Sequence, residues 1–136
     1  MASKNSQSET IKEAVTAATR AISGNKELEI NFGGMGSSLP HPPKTLKELS
    51  AYRGKADSLA CVEKYRDKSI RIASNNEKVN SLIKVMEDSR VEILGSMNYP
   101  GIATNIKSKF DDKCKLYESF EDHEDPEKLR QFWLML

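Results

Sequence analysis

The sequence holds no apolar run near the roughly 20 residues that a membrane-spanning helix needs. Residues 1–8 are polar and lack the apolar centre of a secretory signal. Both absences point to a soluble cytoplasmic protein with no membrane partner. An excess of one charge is missing too, since 21 basic and 20 acidic side chains leave a formal net charge of +1. A neutral, interspersed surface argues against nucleic acid as a partner, because neutralising phosphates takes a basic stripe. It argues equally against docking on an anionic membrane. Cysteine is scarce: Cys61 and Cys114 are the two present. Both fall inside predicted helices, far apart in sequence, and read as small buried hydrophobes in a reducing cytosol.

Recognisable catalytic signatures are also lacking. There is no Gly-x-Ser-x-Gly, no His-Glu-x-x-His and no cysteine pair at metal spacing. Gly33-Gly34-Met35-Gly36 lacks the Gly-Lys-Ser/Thr ending of a phosphate loop, and prolines rather than a helix follow it, so it reads as a connector. The carboxylates of residues 118–125, with His123 among them, could hold a divalent cation. A run of acids in a loop is more often a solvated face, and His41, set between prolines, is no partner for His123. Asp67-x-Ser69 is followed by Arg71 where a metal-binding Asp-x-Ser-x-Ser would need a second serine.

What is present is helical periodicity. A chain of 136 residues that is 38% hydrophobic and 30% charged makes one domain with a thin core. Helices with one apolar stripe build such a core. We expect a mainly α fold, a bundle of four to five helices with one short extended segment near residues 28–32. Residues 1–9 read as a disordered tail, and residues 10–136 as a single helical domain. Thr10-Ile11-Lys12-Glu13, Thr45-Leu46-Lys47-Glu48 and Ser74-Asn75-Asn76-Glu77 have capping-box spacing and would start three helices. The first carries Ile11, Val15, Ala18 and Ile22 and ends at Gly24-Asn25. Leu28-Glu29-Ile30-Asn31-Phe32 alternates apolar and polar as a strand does, and must pair within the chain or with a partner. The second helix should run to about residue 73. The third places Val79, Leu82, Ile83, Met86, Arg90, Ile93 and Met97 on one face, which we expect to meet the core. Tyr99-Pro100-Gly101 breaks it, and a fourth helix continues to about residue 121. Asp125-Pro126 opens a last amphipathic helix with Leu129, Phe132, Trp133 and Leu136. Its apolar end is expected of a truncated chain or of a helix folded back onto the core.

The segment at residues 87–105 joins the two most periodic parts of the chain and sets charges beside core-type positions. Arg90 should bury its stem and pair with Glu87, three residues before it, or with an acid on a neighbouring helix. The other reading is a polar contact to another subunit.

The same residues carry a resemblance. Glu13 to Gly24 in the first helix, followed by Leu28-Glu29-Ile30-Asn31-Phe32-Gly33, is similar to the opening of the T subunit (CobT) of aerobic cobaltochelatase. Leu39-Pro40 with Pro43 resembles that family's proline-rich loop. Arg53-Gly54-Lys55-Ala56-Asp57 resembles its Arg-Gly-x-Ala-Asp, and residues 87–95 its Glu-Gln-Ala-Arg-Val-Glu-Ala-Leu-Gly. Gly101-Ile102-Ala103-Thr104-Asn105-Ile106 resembles its Gly-Val-Ala-x-Asn-Leu. The matches are collinear over roughly residues 10–110. Where the family often has a histidine, Arg66 and Arg71 stand here, which weakens any metal role for that helix. The family's acidic linker and C-terminal von Willebrand A domain have no counterpart in these residues, so the resemblance is to the N-terminal region.

The resemblance implies a subunit of a ligase that inserts cobalt into a corrin ring, hydrogenobyrinic acid a,c-diamide, in vitamin B12 synthesis. It implies partnership with an AAA+ ATPase S subunit and a large N subunit, and homo-oligomerisation within the complex. ATP, Mg2+ and Co2+ would be used by the complex, with none bound by this chain, and this chain would not itself be catalytic. The structural or interface residues it points to are Arg53, Asp57, Glu87, Arg90, Glu92, Gly95, Gly101 and Asn105. The alternative reading is a stand-alone helical adaptor that has lost chelatase function.

Overall fold

The computed structural model describes residues 2–70 and 74–121. Four α-helices account for most of them: α1 (Ala2–Ser23), α2 (Leu49–Tyr65), α3 (Glu77–Asn98) and α4 (Pro100–Glu121). A 3₁₀ turn, Leu46–Glu48, leads into α2. The mainly helical expectation holds. The expected fifth helix at residues 126–136 and the side chains of the 118–125 carboxylate run lie outside what the structure describes.

Local chemistry moved several helix boundaries. Helix α1 starts at Ala2 rather than at Thr10, so the expected tail is helical from residue 2. The Thr10 hydroxyl donates to the Ser6 carbonyl one turn back (2.9 Å) and caps nothing. The far end of α1 is as expected: the Gly24 amide donates to the Arg20 carbonyl (3.0 Å) at φ +74°, the left-handed stop that glycine takes without strain. At the second box, the Thr45 hydroxyl meets the Glu48 carboxylate (3.0 Å) instead of a backbone amide. Helix α2 ends at Tyr65, well short of residue 73. Here the Asp67 carboxylate accepts from both the Ser69 amide (2.8 Å) and the Ser69 hydroxyl (2.6 Å), a local turn that competes with helix. Helix α3 is capped by Asn76 rather than Ser74. The Asn76 side chain accepts from the Lys78 amide (3.0 Å), and Ser74 accepts from the Asn76 amide (3.1 Å).

The extended segment finds its partner inside the chain. Phe32 forms an isolated parallel bridge with Leu39, with the Gly33 amide donating to the Leu39 carbonyl (2.8 Å) and the Leu39 amide to the Asn31 carbonyl (3.0 Å). This closes residues 31–39 into a loop held on α1 and α2. Arg20 of α1 donates to the Leu28 carbonyl (2.9 Å), and the Tyr52 hydroxyl of α2 to the Pro40 carbonyl (2.9 Å).

Two apolar clusters flank α2. Val15, Leu39, Tyr52 and Ala56 form one, with Ile11, Ile30, Phe32 and Leu59 packed around them. Cys61, Val91, Ile102 and Ile106 form the other, with Ile22, Val62, Tyr65 and Tyr99. Helix α2 can serve both because its buried positions are small: Ala51, Gly54, Ala56, Ala60 and Cys61. Helices α3 and α4, each of 22 residues, form a hairpin joined through Tyr99 alone, with Pro100 at the first position of α4.

The expected core stripe of α3 points outward. Leu82, Met86, Ile93 and Met97 are 60%, 64%, 59% and 77% exposed, while Val91 and Gly95 on the opposite face are buried. Small and polar positions seat this helix, for reasons that lie in its partners.

Helices α2 and α4 approach closely at Gly54. A Cβ at Gly54 would lie 2.3 Å from the Asn105 carbonyl oxygen and 2.9 Å from the Lys109 Cβ. Gly54→Ala gains roughly 1 kcal/mol of helix propensity, yet it forces α2 and α4 apart. We expect a net loss of about 1–3 kcal/mol, the usual cost of overpacking. At Gly101 nothing lies within 4 Å of the added Cβ, so Gly101→Ala should be neutral or stabilise by up to ~1 kcal/mol. Urea denaturation of the two variants checks both.

Candidate functional site

The residues singled out in sequence fall into two polar clusters and two glycine positions. The first cluster lies where α2 crosses α4. Asp57 is 1% exposed, and its Oδ2 accepts from Asn105 Nδ2 at 2.7 Å. The Arg53 guanidinium, one turn earlier on α2, stands 3.6 Å from Oδ1. Oδ1 itself has no hydrogen bond. Burial pushes the Asp57 carboxyl above its ordinary range, against the opposing pull of Asn105 and Arg53. Asn105 also accepts from Ser50 (3.3 Å), whose hydroxyl is within 2.8 Å of Ser108. Arg53, Asp57 and Asn105, distant in sequence, are therefore one group.

Glu92 sits beside it, at the three-way contact of α2, α3 and α4. It forms an ion pair with Lys109 and accepts from the Ser58 hydroxyl (2.6 Å), and Lys109 Nζ is 2.7 Å from the same hydroxyl. The side chains of Lys109 and Glu92 are both largely buried. An ammonium held between a carboxylate and a hydroxyl is a donor, so Ser58 and Lys109 do not make a nucleophile with its base.

Glu87 and Arg90 form the second cluster at the far end of α2. Arg90 binds Glu87 through two hydrogen bonds, 2.8 and 2.6 Å, and donates to the Tyr65 carbonyl at 2.8 Å. That carbonyl belongs to the last turn of α2, where helical partners run out and a cation is favoured. Glu87 in turn accepts from the Asp67 amide (3.3 Å) beyond the helix end. Arg66 and Asp88 add an ion pair, and Lys84 binds the other oxygen of Asp88 at 2.7 Å. Arg90 is 43% exposed at its side chain and Glu87 is 12%. The Glu87 carboxyl is held down to about 2, chiefly by the Arg90 hydrogen bonds.

The glycines divide. Gly95 lets α3 lie directly on α2, since a Cβ there would be 2.2 Å from Cys61 Sγ. Burial and the nearby carboxylates push the Cys61 thiol up to about 11, as fits an inert buried sulfur. Gly101 is exposed and touches nothing that a side chain would disturb. Cys114 is exposed, contrary to expectation, and both cysteines are free thiols. Sequence reasoning missed Ser50, Ser58, Ser108 and Lys109. Their signal is present: Ser50, Gly54, Asp57, Ser58 and Cys61 recur at helical spacing on α2, as do Asn105, Ser108 and Lys109 on α4.

The clusters predict opposite responses to acid. Glu87 has a folded-state value near 2 against an ordinary 4.5. Its stabilising contribution is complete above the ordinary value and is lost as pH falls towards 2. Glu87→Gln should flatten that loss. For Asp57 the folded value is raised above 3.8, so its contribution grows as pH falls through the raised value. Asp57→Asn should remove that gain and steepen the net loss of stability on acidification. Thermal melts across pH 2–6 separate the two. Asn105→Ala, which strips the buried carboxylate of its hydrogen bond, should cost at least about 1–3 kcal/mol at pH 7, measured by urea denaturation.

Comparison with known proteins follows this geometry. The family model described as cobalamin biosynthesis protein CobT matches residues 5–128, which takes in all but the first three residues of α1, the other helices and both polar clusters. No solved structure matches the chain. With the match running across most of its length, the chain belongs to the CobT family of cobalamin biosynthesis proteins.

Proposed function

We propose that this chain is the T-type subunit of an ATP-dependent cobaltochelatase, the ligase that inserts Co2+ into the corrin ring of hydrogenobyrinic acid a,c-diamide. Its part is assembly. It joins the AAA+ S subunit in a homo-oligomeric complex that uses ATP and Mg2+, while the N subunit holds the corrin and its cobalt substrate. The observation that carries this reading is the family match across residues 5–128. The geometry supports it from the other side: Asp57, Asn105, Glu92, Glu87 and Arg90 are engaged in fastening α2, α3 and α4 to one another. Side chains so committed are suited to holding a shape for a partner rather than to turning over a substrate. The chain is a non-catalytic member of a catalytic complex.

The surface offered to the S subunit is the outer face of α1. Ala14, Ala17 and Ala21 are exposed there at helical spacing, while Val15 and Thr19 are buried on the other face. Alanines allow a partner helix to approach closely. The test is retention of the chain on immobilised S subunit with ATP and Mg2+, together with cobalt insertion by the N and S subunits with and without it. We expect retention and dependence of insertion on this chain. Ala17→Glu should abolish retention with the helical circular dichroism unchanged. A chain that is neither retained nor needed for insertion sinks the chelatase reading and favours a stand-alone adaptor. Retention that A17E leaves intact moves the contact away from α1.

A further inference from the structure

The α3–α4 hairpin presents an apolar face that the described residues leave uncovered. Leu82, Met86, Ile93 and Met97 run along α3, each more than half exposed. Val79 and Val85 of α3 and Phe110 of α4 flank them and are exposed as well. At roughly 150–200 Å² for a fully exposed large side chain, these residues leave on the order of 600–800 Å² open. The largest apolar patch of a monomer covers roughly 300–600 Å², and each partner in a stable interface gives about 800 Å². Helix α2 meets α3 on the opposite side, through Val91 and Gly95. The face has the size of an interface and the apolar periodicity of a helix on which another packs.

We propose that a second copy of this chain covers the face, with α3 packed antiparallel on α3 of the partner about a two-fold axis between Ser89 and Arg90. The stripe is its own mirror in spacing: from Leu82 to Met86, Ile93 and Met97 the steps are four, seven and four residues. A two-fold interface must be self-complementary in this way. Leu82 then meets the partner's Met97, and Met86 meets the partner's Ile93. The small Ser89 lies beside the axis and lets the two helices approach. Its hydroxyl already donates to the Val85 carbonyl (2.8 Å), and Arg90 is already paired with Glu87 and the Tyr65 carbonyl. The acids of α3 beyond its first turn, Glu87, Asp88 and Glu92, are all in ion pairs within the chain. Covering the stripe therefore strands no charge. The charges at its ends are complementary. Lys78, exposed in the first turn of α3, comes level with the last turn of the partner's α3, which has no basic residue of its own to meet its free carbonyls. The chelatase reading calls for several copies in one complex but assigns them no contact, and this pairing does not rest on it.

Sedimentation of the whole chain, alone and over a range of concentrations, tests this without S subunit or ATP. We expect a reversible monomer–dimer equilibrium. Met86→Glu and Ile93→Glu should each abolish the dimer. Their helical circular dichroism should be unchanged, since both positions are well exposed on α3. Met86→Ala should weaken association roughly tenfold, because each substitution occurs twice in a two-fold interface, and it serves where a charge upsets folding. Met86→Lys combined with Ile93→Glu in one chain should restore the dimer, since position 86 faces position 93 of the other copy and opposite charges then meet at both places. Three results overturn the proposal. A chain that stays monomeric at every concentration leaves the face to another part of the chain or to a different protein. A dimer that Met86→Glu, Ile93→Glu and Met86→Ala all leave intact pairs through another surface. A dimer that the single glutamates break and the charge pair fails to mend lacks the antiparallel register. Cobalt insertion is measured separately, so failure of this pairing and failure of the chelatase reading are distinct results.

Discussion

The rest of the fold depends on how closely α4 lies against α2 at Gly54. The backbone of Asn105 occupies the space where any other residue would carry its Cβ. This contact brings the Asn105 amide within 2.7 Å of Asp57, a carboxylate with no access to water. A buried charge of this kind is expensive unless paired, so the position of α4 is determined twice, by steric fit and by polar need. A slide of α4 along α2 would clash at Gly54 and strand Asp57 in the same movement. Lys109, one turn further on α4, extends the registration to α3 through Glu92 and Ser58.

Helix α3 shows which force prevails when apolar pattern and polar pairing disagree. By pattern alone its Leu82–Met86–Ile93 face belongs inside. By pairing, Glu87, Asp88, Arg90 and Glu92 need the end of α2, Arg66 and Lys109. The described residues satisfy the polar set. Turning the helix half-way round would bury part of the apolar stripe against α2. It would also withdraw Arg90 from the Tyr65 carbonyl and Glu92 from Lys109, and would lift Gly95 off Cys61, replacing a close contact with bulkier side chains. Glu92 and Lys109, both largely buried, would lose their ion pair and Arg66 its carboxylate, and the apolar gain on one face does not offset that.

This explains what was legible in the sequence. Element type was legible because periodicity is local: four helices, the break at Tyr99-Pro100 and the glycine stop after α1 follow from spacing and turn chemistry. The family signature was legible as a set of residues but not as an arrangement. Arg53, Asp57 and Asn105 prove to be neighbours, and a pairing 48 residues apart in sequence leaves no mark on either segment. The orientation of α3 was misread for the same reason. The hydrophobic pattern reports that a face is to be covered, but not which neighbour covers it. The ends of α2 and α3 were misplaced because serine, threonine, asparagine and aspartate at successive positions offer several local turns, and Asp67 and Asn76 prevailed through hydrogen bonds to residues two further on.

The division of labour along α3 bears on what the protein does. It is tied at two places, by Glu87 and Arg90 at the end of α2 and by Glu92 at the crossing with α4, so the helix is held at fixed rotation over about one and a half turns. A helix held in this way by polar pairs presents its opposite, apolar face in a constant orientation, which loosely packed hydrophobic contacts alone would not guarantee. Hydrophobic residues that merely filled the core could have done so on the inner side. The charges at residues 87–92 make contact with α2 and α4, and by doing so they set the direction in which the exposed apolar face of α3 points.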